Sequence, residues 1–142
     1  LTRGIVEEIT RTRAAGSYVT PAVDGSKYHQ LLALLETGTL SGAATVLAKF
    51  QHCSGSDSSL AAWADVSTAS CITSAFPSTS NDKIGQLELK VHQYGSTLER
   101  YIRVLVSAAT SSWLGACQVL GIPRYRPATD VDSADVVQTV VY

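Results

Sequence analysis

The sequence predicts an all-β single domain, an antiparallel β-sandwich or jelly-roll-like fold with extended terminal segments, and three observations carry that expectation. Apolar and polar residues alternate with a period of two in several stretches, the pattern of a half-buried strand. Ser and Thr make up 31 of the 142 residues and gather with Gly between the apolar stretches, so turns divide the chain into strand-length pieces. Hydrophobic residues amount to 45% against 16% charged, with mean hydropathy +0.11, which leaves ample material for a buried core. A chain of 142 residues fits one domain, divided here into an N-terminal segment 1–16, a sandwich 17–127 and a C-terminal arm 128–142.

In chain order, Ile5 to Arg13 carries Glu7, Glu8, Arg11 and Arg13 and reads either as a helix of about two turns or as an exposed strand. Val23-Asp24-Gly25 reads as a turn leading into the next strand. Leu31 to Leu35 reads as a strand buried on both faces or a short helix, with Gly25 and Gly38 bounding it at strand length. Thr37 to Gly42, Ser54 to Ser59, Pro77 to Asp82 and Gly95-Ser96-Thr97 read as turns. Val46, Ala48 and Phe50 alternate with Leu47, Lys49 and Gln51. Between Ile84 and Gln93, Leu87, Leu89 and Val91 share one parity and Gln86, Glu88, Lys90 and His92 the other. Ile102, Val104, Val106 and Ala108 oppose Tyr101, Arg103, Leu105 and Ser107 in the same way, and Trp113 to Leu120 is a further apolar segment.

Charge and motif content exclude several function classes. The net charge of -1 provides no broad basic face for phosphate backbones, so no nucleic-acid partner is expected. The longest apolar runs, such as Leu31 to Leu35, are five residues, against the ~20 needed to cross a bilayer, so no membrane partner is expected either. No signal-peptide pattern is visible, and a chain starting at Leu1 without any Met has either a processed N-terminus or a numbering that begins inside the gene product. Cys53, Cys71 and Cys117 lack the spacing of a zinc knuckle or redox motif and read as reduced, structural thiols, with one pair plus a free thiol as the alternative.

No catalytic constellation emerges. His29, His52 and His92 would need to converge with a carboxylate or thiolate to hold zinc, and His52 beside Cys53 points to the opposite face of a strand. No Gly pair brackets a Ser as a nucleophile elbow, and neither a P-loop nor G-x-G-x-x-G occurs. Glu7 and Glu8 are sequence neighbours and do not face one substrate, while Asp57 with Asp65, and Asp130, Asp132 and Asp135, match no calcium loop. No cofactor and no enzymatic activity are expected. Trp63 and Trp113 could stack on sugar rings if exposed, but their apolar neighbours favour core positions.

One resemblance points to a function class. Val23-Asp24-Gly25, Phe50-Gln51-His52 with the Ser54-Gly55-Ser56-Asp57 turn, and Trp63-Ala64-Asp65-Val66 occur in that order. They are followed by Gly95 to Val104, containing Arg100-Tyr101-Ile102-Arg103, and by Leu120-Gly121-Ile122-Pro123-Arg124-Tyr125-Arg126-Pro127. This series, from about Gly16 to Pro127, resembles a family of small structural proteins of tailed bacteriophages. The Arg-Tyr-x-Arg and Pro-Arg-x-x-Pro pieces are its most specific parts. The chain departs from the family in lacking a Gly-rich loop between the second and third core strands and in its Val-rich tail. The resemblance implies a capsid decoration, or cement, protein: a β-sandwich homo-oligomer, trimer or dimer, bound to the major capsid protein on the virion surface and present in the host cytoplasm during assembly. The alternative it leaves open is a receptor- or glycan-binding module of tail, neck or fibre.

Two groups of partner-binding residues follow as expectations. Arg124 and Arg126, with Arg100 and Arg103, gather at one sandwich edge to touch an acidic capsid surface, or else are scattered, solvated charges. Asp130, Asp132 and Asp135 extend the chain away from the domain. Val136, Val137, Val140, Val141 and Tyr142 then either pair with a neighbouring subunit or fold back on their own sheet. At about 3.3 Å per residue, the segment from Asp130 to Tyr142 reaches roughly 40 Å.

Overall fold

The alternating stretches become strands. The structure, a computed structural model, describes residues 4–40, 45–55, 63–66, 76–77, 79, 81–91, 99–109 and 113–124. In chain order these form β1 (Gly4–Arg13), β2 (Gly16–Val19), β3 (Val23–Asp24), a 3-10 turn η1 (Gly25–Lys27) and β4 (Tyr28–Leu40). Then come β5 (Thr45–Cys53), β6 (Ala64–Asp65), β7 (Lys83–Leu89), β8 (Tyr101–Ala109) and β9 (Trp113–Pro123). Among the described residues there is no α-helix, and every strand pairing is antiparallel.

Two sheets result. One runs β1-β9-β4-β7, the other β2-β8-β5-β6, with β3 joining β8 beyond β2. Register shows why the sheets stack. In the first, Leu31 lies opposite Leu89 and Gly121, Ala33 opposite Leu87 and Val119, and Leu35 opposite Gly85 and Cys117. In the second, Val46 lies opposite Ala108, Ala48 opposite Val106, Phe50 opposite Val104 and His52 opposite Ile102. The inward residues of both sheets form one apolar cluster, against which Tyr18, Phe76 and Val91 also pack. This is an antiparallel β-sandwich, because directly opposed residues share a face and each sheet has one apolar face to cover.

Several expectations resolve in favour of strand. Ile5 to Arg13 lies within β1, paired with β9 from Gly4↔Gly121 to Arg13↔Trp113, so the N-terminal segment belongs to the sandwich. Leu31 to Leu35 lies within β4, where Leu31, Ala33 and Leu35 face the core and Leu32 is also buried, on the outer face. Thr37 to Leu40 is strand rather than turn: a register shift between Thr37 and Leu40 lets β4 continue. Side chains stabilise that irregularity. The Lys83 amide donates to Thr37 Oγ1 at 3.3 Å, and the Leu40 amide donates to Asn81 Oδ1 at 2.8 Å. Gly95-Ser96-Thr97, His92, Cys71, Asp57 and the C-terminal arm lie outside the described residues, as does the side chain of Trp113.

Two local devices allow the chain to change sheets. Gly16 adopts φ +149, a conformation that L side chains rarely take, as the chain leaves β1 for β2. Pro21 then interrupts the edge strand, since it has no amide to donate. The buried Thr20 bridges the gap: its amide donates to Val104 O at 3.0 Å and its Oγ1 accepts from the Val104 amide at 2.9 Å.

Burial in this core sets a measurable scale. Leu35→Ala is expected to lower unfolding stability by about 2–5 kcal/mol. Glu36→Ala, at the exposed next position of the same strand, should change it by less than about 0.5 kcal/mol. Urea unfolding of both variants with an unchanged slope checks the pair.

Candidate functional site

Two side-chain clusters gather several of the singled-out residues. The first closes one end of the sandwich around η1. Asp24 caps this turn, accepting from the Ser26 amide at 3.1 Å and the Ser26 hydroxyl at 2.6 Å. Arg100 grips the other carboxylate oxygen through Nε at 3.1 Å and Nη2 at 2.6 Å, and its guanidinium lies 5.3 Å from the Tyr101 ring centre. The Gly25 amide donates to Arg100 O at 2.8 Å. A Cβ at Gly25 would stand 2.5 Å from Ile102 Cδ1 and 3.1 Å from Arg100 O, so a larger residue would make the Ile102 side chain or the turn shift. On the far side of η1, the Arg124 amide donates to Lys27 O at 2.8 Å and its Nε donates to Tyr28 O at 3.0 Å.

The second cluster covers the outer face of β8. Arg103 is only 2% exposed, although its position opposite Gln51 puts it on the side away from the core. Its Nε donates to Gln51 Oε1 at 3.0 Å, and its guanidinium lies 4.1 Å from the ring centre of Trp63. Gln51 Nε2 donates to Asp65 Oδ1 at 2.8 Å, while Lys49 pairs with Asp65 Oδ2. The parity of β6 explains the convergence: Asp65 lies opposite Gln51 on the outer face, and Trp63, two residues away, shares that side. Trp63 itself is 8% exposed, buried on the outside of the sheet rather than between the sheets.

The electrostatics follow this geometry. The hydrogen bond from Arg100 is the leading reason that the Asp24 carboxyl falls to about 2; burial opposes it, and the Ser26 hydroxyl and amide add to it. For Asp65, burial pushes upward, but the hydrogen bonds from Lys49 and Gln51 together carry the carboxyl below its ordinary value. Burial pulls Arg103 down, with Cys53 opposing. Cys117 sits in the inter-sheet core, where desolvation raises its thiol to about 12, and like the buried Cys53 it is a free cysteine.

The contacts described in both clusters are made within the fold. No group of three or more His, Cys, Asp or Glu among the described residues could hold a metal ion. The Glu99 amide donates to His52 Nδ1 at 3.3 Å, and Glu99 Oε2 lies 3.6 Å from that nitrogen. Of the arginines picked from sequence, Arg100 and Arg124 do meet at one end of the sandwich, bracketing η1, where both bind the protein itself. Arg103 lies apart from them, under Trp63. Arg126, Val136, Val137, Val140, Val141 and Tyr142 lie outside the described residues. Sequence reasoning missed the Gln51–Arg103–Trp63 association. Its available signal was an Arg in an otherwise apolar run, Tyr101-Ile102-Arg103-Val104-Leu105-Val106. No family model and no curated protein matches the chain.

Two measurements test these clusters. With Asp24 lowered from 3.8 to about 2, its ion pair stabilises the fold fully above about pH 4 and loses that contribution as pH falls toward 2. Asp24→Asn keeps an acceptor for Ser26, so its stability deficit relative to the parent should shrink between pH 4 and pH 2 in chemical unfolding. A pH-independent deficit would contradict the ion-pair account. Separately, Trp63→Ala should cost about 3–5 kcal/mol, whereas Lys49→Gln, at the partly exposed end of the ladder, should cost about 1 kcal/mol or less and respond to salt. Thermal unfolding at low and high salt distinguishes them.

Proposed function

We propose that the chain is a structural virion protein that decorates the outer surface of a bacteriophage capsid, bridging neighbouring capsid proteins and reinforcing the shell against internal DNA pressure. One observation supports the proposal: among the described residues, motif pieces that resemble tailed-phage structural proteins make contacts that fasten this sandwich. Asp24 meets Arg100, Gln51 meets Arg103 and Asp65, Trp63 meets Arg103, and Arg124 meets the backbone of Lys27 and Tyr28. A pattern dedicated to architecture suits a protein that works through its surfaces and its stability.

In this reading the major capsid protein is the partner, and the arm ending in Val140, Val141 and Tyr142 adds a strand to a neighbour. Arg126 is the better charge to reverse when testing contact with an acidic capsid surface, because Arg124 is engaged in its own fold. The glycan-binding alternative needs an exposed aromatic platform, and the described face of Trp63 is covered by Arg103.

Copy number separates the two. Quantitative densitometry of purified virions should find hundreds of copies per particle, distributed over the head. A few copies confined to one vertex or the tail would overturn the decoration reading in favour of a neck or adhesin module.

A further inference from the structure

We draw no further inference here: the strongest candidate, the edge of β7, which carries the exposed Ile84 and has no second strand neighbour among the described residues, carries nothing because nothing in the structure shows what covers it.

Discussion

Strand β8 keeps its place only if both of its faces leave water. Ile102, Val104, Val106 and Ala108 do so between the sheets, as the inward row of the second sheet. On the opposite side, Arg103 and Leu105 are buried as well, and among the described residues no second sheet lies there to cover them. Taking a guanidinium out of water costs several kcal/mol unless its charge and its donors are met. The rest of the outer face meets part of that demand. Trp63 lays an aromatic ring on the cation, Gln51 accepts from its Nε, and Asp65 then holds Gln51 while Lys49 balances Asp65. The short β6 is the structural cost of this arrangement, a two-residue strand that serves to carry Trp63 and Asp65 over β8's neighbour.

The lower end of β8 bears a second load, since β3 and η1 are fastened there. The fastening is mostly between side chains and backbone. Asp24 caps the turn, Gly25 approaches the Arg100 carbonyl, and Arg124 reaches from β9 to the carbonyl of Tyr28. Thr20 supplies with its hydroxyl what Pro21 withholds from the ladder. These contacts tie β3, β4, β8 and β9 together where the chain passes from one sheet to the other. Such crossings leave backbone groups without ladder partners, so polar side chains do the work that strands do elsewhere.

The core was legible in the sequence because period two survives burial on one face: Leu87 and Leu89, and Ile102, Val104, Val106 and Ala108, lie inward as their alternation indicates. What was not legible depended on partners distant in sequence. Thr37 to Leu40 has turn composition, yet hydrogen bonds with Lys83 and Asn81, more than forty residues away, hold it in β4. The charges of Glu7, Glu8, Arg11 and Arg13 left β1 ambiguous, since an edge strand and an amphipathic helix both tolerate them. Arg103 read as a solvated or capsid-facing charge because nothing local to it announces Gln51 or Trp63. Trp63 read as core, and it is buried, but its packing partner is a cation outside the sandwich. Parity indicates a face; it does not indicate whether another segment covers that face.

The fasteners also bear on how the protein meets others. Residues that grip one another are already committed within the fold, so the surfaces left to meet a partner include the sheet edges and outer faces they hold in position. A net charge of -1 suits that division. Chains far from neutrality repel their copies, and long-range steering favours oppositely charged partners over identical ones. A nearly neutral sandwich avoids both effects.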